Sequence, residues 1–123
     1  MSFEKSIIGF CIEYGIPTDR IEASLKPRGQ IPNGWLGVTW YAYDSNNQRM
    51  GKIATVDWFT GHNIALHAIA WHEFNHANEW VINGKADGHT MPWIKRVMRK
   101  PFLFIFGEIW AGILYIYLSA KHA

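Results

Sequence analysis

The sequence predicts an α+β domain in which helices flank a small β-sheet. Apolar residues recur at helical spacing near the N-terminus, an aromatic and β-branched stretch follows, and a long helical pattern ends at Gly84. The 123 residues suit a single domain, 1–123. Because 49% of the residues are hydrophobic and 15% are aromatic, the chain has ample material for a packed core.

The first half of the chain predicts one helix and a hairpin. Residues 3–14 form the helical pattern, which Gly15 and Pro17 end. Residues 20–25 alternate polar and apolar side chains, as in a short strand. Residues 35–43 and about 49–57 then flank a polar turn and predict a β-hairpin.

The second half predicts three helices. Residues 60–63 are rich in helix-capping side chains and open a helix of about twenty residues that ends at Gly84. A shorter helix follows, with Pro92 in its first turn, and Pro101 breaks it. A strongly apolar helix then runs to about Ser119.

Composition excludes several classes of protein. The net charge is +2 and the basic residues form no long run, so charge does not indicate a nucleic-acid partner. The one cysteine, Cys11, permits neither an intramolecular disulfide nor a cysteine-based zinc ribbon. The N-terminus carries Glu4 and lacks the pattern of a signal peptide, so we expect a cytoplasmic protein.

The motif His72-Glu73-Phe74-Asn75-His76 carries the candidate chemistry. Residues four apart share one helix face, so His72 and His76 can bind one metal ion. Glu73 can reach a metal-bound water without occupying a coordination position, as a general base must. The turn after the helix can bring His89 back over the same face as the third ligand.

This pattern resembles the SprT-like (Spartan-type) zinc metallopeptidase domain, in a minimal form without a zinc ribbon or DNA-binding extension. The matching residues are His72, Glu73, His76, Ala77, Gly84, Asp87-Gly88-His89 and Trp93-Ile94-Lys95. The resemblance covers about residues 50–98 and implies a zincin-like fold. Thr90 departs from it, because a glycine usually follows the third histidine.

The motif and the resemblance together predict a zinc metalloendopeptidase. One Zn²⁺ per chain, held by His72, His76 and His89, would activate a water with the help of Glu73 to hydrolyse a peptide bond. A protein or peptide substrate would pair with an exposed edge of the strand at residues 52–57, and an ordinary core strand is the other interpretation of this segment. The alternative is a zincin-like structural or interaction protein without turnover, either a virion component or a membrane-associated protein. In lacking accessory domains, this chain resembles small SprT-like chains found in phage as well as in cellular genomes.

The segment from Phe102 to Leu118 is apolar all round except for Glu108. As a helix it would be ~26 Å long, just short of a hydrocarbon core of ~30 Å. We expect a core helix that covers the back of the motif helix, with a membrane anchor or a homo-oligomer contact as alternatives.

A basic cluster and one glutamate can each be interpreted in two ways. The basic cluster Lys95, Arg96, Arg99 and Lys100 is typical of a solvated face, and contact with phosphate or lipid headgroups is the alternative. Glu79 lies one turn beyond His76, where it could support a metal ligand or be solvated.

Overall fold

The structure is a computed structural model, which describes residues 2–32, 34–59, 63–86 and 88–122. The α+β prediction is confirmed, because four α-helices and a mixed three-stranded sheet form in this part of the chain. The elements are α1 (Phe3–Tyr14), β1 (Ile21–Lys26), β2 (Gly37–Tyr43), β3 (Arg49–Val56), α2 (Asn63–Asn83), α3 (Met91–Val97) and α4 (Glu108–Lys121). A π-helical segment, Leu103–Gly107, leads directly into α4.

Helix α1 begins and ends at residues that satisfy its terminal backbone groups. The Ser2 hydroxyl accepts a hydrogen bond from the backbone N–H of Lys5 at 3.1 Å. Gly15 adopts a left-handed conformation, with φ of 71°, and ends the helix as the sequence predicts. The buried face of α1 packs Phe10 against Trp71 of α2, with ring centroids 4.9 Å apart.

The sheet has the strand order β1-β3-β2, so β3 is its central strand. The predicted hairpin is confirmed, because β2 pairs antiparallel with β3. On its other side β3 pairs in parallel with β1, in the register Ile21 opposite Gly51 to Lys26 opposite Val56. The expectation that residues 52–57 offer an exposed edge to substrate is therefore wrong, since strands occupy both sides of β3.

Helix α2 packs across the sheet and is mostly buried, including the fully buried Trp71 and Phe74. The Trp80 indole N–H fixes it to the sheet through the carbonyls of Ala42 (3.1 Å) and Met50 (3.0 Å). The helix ends before Gly84, whose φ of 69° is the left-handed conformation that glycine tolerates best. The predicted capping residues 60–62 lie outside the described residues.

Helix α3 lies against α2. The indole N–H of Trp71 in α2 donates a hydrogen bond to the backbone carbonyl of Val97 in α3 at 3.0 Å. Its N-cap is Thr90, whose hydroxyl accepts from the backbone N–H of Trp93 at 3.4 Å, and Pro92 stands in its first turn. Thr90, the position that departs from the SprT-like pattern, thus starts the helix that follows His89.

The C-terminal helix covers α2 with one face only. Its inner face buries Gly107, Ala111, Leu114 and Leu118. The approach is close at Gly107, where a Cβ would lie 2.7 Å from the Cβ of Ala68. The core-helix expectation therefore holds for the inner face, whereas large apolar side chains on the outer face are exposed.

One helix in the described part of the chain, Leu103–Lys121, is long and apolar enough to cross a membrane by length and composition. Only 22% of its 18-residue apolar window is buried, so burial within the domain does not account for its hydrophobicity. This is weak support for membrane association.

Candidate metal centre

The imidazole rings of His72, His76 and His89 form a cluster beside α2. His72 and His76 lie one helical turn apart, with ring centroids separated by 5.2 Å. The chain turns after Gly84 and returns His89 to within 5.2 Å of His72 and 5.1 Å of His76, measured between ring centroids. One potential ligand atom from each ring lies within 4.8 Å of the other two. The structure thus brings together all three histidines that the sequence singles out.

Trp93 of α3 packs against all three imidazoles. Its ring centroid lies 4.8 Å from that of His72, 5.0 Å from that of His76 and 4.4 Å from that of His89. The indole is 3% exposed, so it forms a buried wall that restricts rotation of the rings and excludes water from that side.

A carboxylate from the C-terminal helix orients the first histidine. Oε1 of Glu108 makes a short contact with Nδ1 of His72. If Nδ1–H donates to the ionised carboxylate, Nε2 keeps its lone pair and can bind a metal. Burial alone would lower the pKa of His72, but the hydrogen bond to Glu108 and the nearby charge of Glu73 raise it overall.

The other two histidines are held in the neutral form. Burial, followed by the charges of His72 and His89, lowers the pKa of His76 to about 3. Burial and the charge of His72 also lower the pKa of His89. A neutral imidazole has a free lone pair at one nitrogen, which metal coordination requires.

Glu73 lies beside this cluster with its side chain turned towards β2. The residue is 6% exposed, and burial raises the pKa of its carboxyl group to about 7, against the opposing effect of His72. The Thr39 hydroxyl lies 3.3 Å from both Oε2 and the backbone carbonyl oxygen of Glu73, so its one proton is shared between these acceptors. Glu73 therefore has the raised pKa and the fixed position that are typical of a general base.

A cavity of about 550 Å³ opens over these groups. One wall is the β2 side, formed by residues 35–39 and Tyr41. The opposite wall carries the three histidines together with Glu73 and Glu108. A concave site with a few convergent polar groups is the usual form of a ligand-binding site.

Thr39 and Glu108 also line the site, although the sequence motif does not include them. Thr39 carried no signal, because its proximity to Glu73 depends on how the hairpin packs on α2. Glu108 did carry one, since it is the single charged residue between Phe102 and Leu118. An isolated carboxylate in an apolar helix indicates a partner within the fold.

Glu79 is part of a buried ion pair, so the solvated interpretation of this residue is wrong. It is 6% exposed, so it is not solvated. Its carboxylate pairs with Arg96 at 2.6 Å and accepts from the Asn83 amide at 3.1 Å. Arg96, expected on a solvated face, is thus the cation that neutralises a buried carboxylate. Asp87, part of the sequence pattern, lies outside the described residues.

The chemistry of the donor set fits zinc. Three nitrogen donors suit Zn²⁺, whereas calcium and magnesium require mainly oxygen ligands. In a tetrahedral zinc site the ligand nitrogens are ~3.3 Å apart, so rings already within 4.8 Å of one another need little movement. Comparisons with protein-family models, curated protein sequences and solved structures found no match to this chain.

Proposed function

We propose that this protein is a zinc-dependent metalloendopeptidase of the zincin type, a minimal form of the SprT-like domain. The observation that supports this most is the meeting of three imidazoles with the buried carboxylate of Glu73 at one cavity. The order of the motif residues along α2 and the return of His89 suit the resemblance seen in the sequence.

In this proposal His72, His76 and His89 hold one Zn²⁺ per chain. The bound ion would supply a positive charge that lowers the pKa of water and polarises the substrate carbonyl. Glu108 orients His72 through Nδ1, and Trp93 restricts all three rings. Such support from outside the ligand set keeps the donor nitrogens aimed at a common point.

Glu73 moves the proton. Its carboxylate, which Thr39 contacts through Oε2, would accept a proton from water. The water oxygen bonds to the peptide carbonyl carbon, and the C–N bond then breaks as the proton passes from Glu73 to the leaving nitrogen. A carboxyl pKa of about 7 suits both directions of this transfer at neutral pH.

The substrate would lie along β2 rather than along β3. Among the described residues, no strand pairs with the edge of β2 that faces away from β3. Residues 37–39 of β2 line the same cavity as His72 and Glu73. An extended peptide added at that edge would be bound by main-chain hydrogen bonds, with its scissile bond beside the metal centre.

The deciding experiment measures zinc and proteolysis in the same proteins. Wild type should hold about one zinc per chain. His72→Ala, His76→Ala and His89→Ala should each lose it, whereas His122→Ala, which alters a ring stacked on Trp58, should keep it. Unchanged zinc content in all three ligand variants would contradict the site.

Glu73→Gln separates catalysis from metal binding. The amide cannot accept a proton, so this variant should retain zinc and cleave an unfolded protein substrate such as casein at least ~100-fold more slowly. Cleavage by Glu73→Gln at the wild-type rate would refute the mechanism. Stoichiometric zinc with no cleavage by wild type would favour the structural or interaction protein.

A further inference from the structure

The outer face of the C-terminal helix is a continuous apolar surface. Its most exposed large side chains are Phe102 (75% exposed), Phe106 (61%), Ile109 (57%), Ile113 (53%), Ile116 (73%) and Tyr117 (62%). Apart from the adjacent Ile116 and Tyr117, these positions recur every three or four residues, so they form one stripe along the helix. A helix that packs its inner face on a domain normally turns polar residues outward, and this one does not.

No charged side chain interrupts the stripe, and exposed cations come before and after it in the sequence. Glu108, the charged residue within the segment, contacts His72 on the inner side. Lys95 and Arg99 precede the stripe and Lys121 follows it, and all three are exposed. None of these three cations pairs with a carboxylate in the described part of the chain, whereas Arg96 and Lys100 do.

The packing of the inner face decides how the helix can meet a membrane. Leu114 and Leu118 are each 6% exposed, and they would leave the core if the helix crossed a bilayer. Glu108 would also leave His72 and enter hydrocarbon, which is costly for a carboxylate. With the domain folded, the helix can therefore meet a bilayer only by lying flat on its surface.

Charge favours a lipid surface over a second copy of the chain. The exposed side chains nearest the stripe in the sequence, Lys95, Arg99 and Lys121, are all cations. A second copy of the chain would offer the same cations and no exposed carboxylate of its own stripe to meet them, whereas the phosphates of anionic lipids complement them. Trp110 and Tyr117, both more than 40% exposed, suit the boundary between headgroups and acyl chains.

We propose that the outer face of Phe102–Tyr117 docks this protein on an anionic lipid bilayer. The helix lies in the plane of the surface, with its stripe among the upper acyl chains and the cations at its two ends among the headgroups. An isolated interfacial helix turns a polar face towards water, whereas this helix packs its inner face on the rest of the domain. The open cavity and the metal centre would then remain on the aqueous side.

Vesicle flotation tests the surface directly. Wild type should float with vesicles of phosphatidylcholine containing phosphatidylglycerol and bind much less to phosphatidylcholine alone. The triple variant Ile109→Gln, Ile113→Gln and Ile116→Gln should bind at least ~10-fold more weakly, because it removes apolar area from the stripe. The matched control is Ile12→Gln with Ile82→Gln, two side chains 70% and 56% exposed on other helices, and it should bind like wild type.

Two measurements locate the contact and its charge dependence. Lys95→Gln with Arg99→Gln should weaken binding to the anionic vesicles and reduce its sensitivity to salt. A polarity-sensitive thiol probe on Ile113→Cys should shift to the blue on binding, and the same probe on Ile12→Cys should not. The native Cys11 leaves the probe selective, because it is buried and its thiol pKa is raised to about 11.

Three outcomes would overturn the proposal. Equal binding by the triple variant and wild type would place the contact elsewhere. A wild-type dimer that the triple variant dissociates, without vesicle binding, would assign the stripe to a second copy. A wild-type monomer that binds no vesicle would leave the stripe without a lipid partner. Retained secondary structure in each variant, measured by circular dichroism, shows that the comparison is between folded proteins.

Discussion

Glu108 and His72 are 36 positions apart in the sequence, yet Oε1 of one contacts Nδ1 of the other. The π-helical segment Leu103–Gly107 immediately precedes Glu108. A π-helical turn inserts an extra residue and rotates the helix beyond it, and such turns occur frequently at functional sites. The C-terminal helix therefore contributes both to the core and to the geometry of the candidate metal centre.

The contact predicts that Glu108 acts as a positioning residue. Glu108→Gln keeps an oxygen that can accept from Nδ1 but removes the charge, and Glu108→Ala removes both. Zinc affinity should fall in both variants, by about 10–100-fold in the alanine variant and by less in the glutamine variant. Competition with a chelator measures this loss, and the absorption spectrum of the Co²⁺ form should change with it.

Ile109→Gln is the matched control, since it alters the neighbouring residue, whose side chain is 57% exposed. It should leave zinc affinity and the Co²⁺ spectrum unchanged. Wild-type affinity in Glu108→Ala would show that the contact does not support the ligand.

Gly107→Ala tests whether the close packing of Gly107 on Ala68 positions the neighbouring Glu108 against His72. The added Cβ would lie 2.7 Å from that of Ala68, which is too close for two carbon atoms, so the helices must separate. We expect a loss of about 1–3 kcal/mol in the free energy of unfolding, together with weaker zinc binding. Gly112→Ala is the control on the same helix, where a Cβ meets nothing within 4 Å. Urea denaturation that ranks Gly112→Ala as the less stable variant would contradict this account.

The local elements could be predicted from the sequence because their signals are local. Gly15 and Gly84 end their helices at the positions expected, and the polar turn at residues 44–48 joins β2 to β3. The parallel pairing of β1 with β3 could not be predicted, because it joins residues about thirty positions apart and no turn sequence specifies it. Without that pairing, the sequence leaves residues 52–57 open to two interpretations, a substrate-binding edge and an ordinary core strand, and the structure shows the core strand.

In the candidate site too, the features with local sequence signals could be predicted and the contacts between distant residues could not. The spacing of His72 and His76 on one helix is enough to place two ligands on one face. The turn after Gly84 can return His89 to that face, and the resemblance adds support for it as the third ligand, since a thirteen-residue return can end in many places. In the sequence Glu108 indicates a partner within the fold and a cost within a membrane, but the identity of that partner, His72, becomes visible only in the structure.

Removal of the C-terminal helix should destroy the domain. A chain ending at Lys100 loses the buried Ala111, Leu114 and Leu118 and exposes the back of α2. Each leucine contributes about 1.5–3 kcal/mol by burial, against a total stability of ~5–15 kcal/mol for a small domain. We expect unfolded or insoluble protein that retains no zinc, measured by circular dichroism and metal analysis. A chain ending at Lys121 keeps α4 entire and should behave as wild type, whereas a soluble, zinc-loaded fragment 1–100 would show that the helix is dispensable.

His67 predicts a pH dependence of stability that does not involve the metal ligands. Its Nδ1 lies 2.9 Å from the Ser6 hydroxyl, and its ring packs on Phe10 with centroids 4.9 Å apart. Burial, and then the charge of Lys100, lower the pKa of this imidazole below its usual 6.5. The unfolded chain therefore binds a proton at a higher pH than the folded protein does. The contribution of neutral His67 to stability is full above pH ~6.5 and is lost as the pH falls towards the folded pKa.

His67→Gln removes this titration while keeping a polar group near Ser6. The other histidines titrate alike in both proteins, so the difference in the free energy of unfolding between wild type and variant isolates residue 67. This difference should favour wild type more at pH 8 than at pH 5, as measured by urea denaturation in matched buffers. If the difference in the free energy of unfolding is the same at both pH values, His67 has the same pKa in the folded and unfolded chains. The burial of His67 against α1 would then have no effect on its charge.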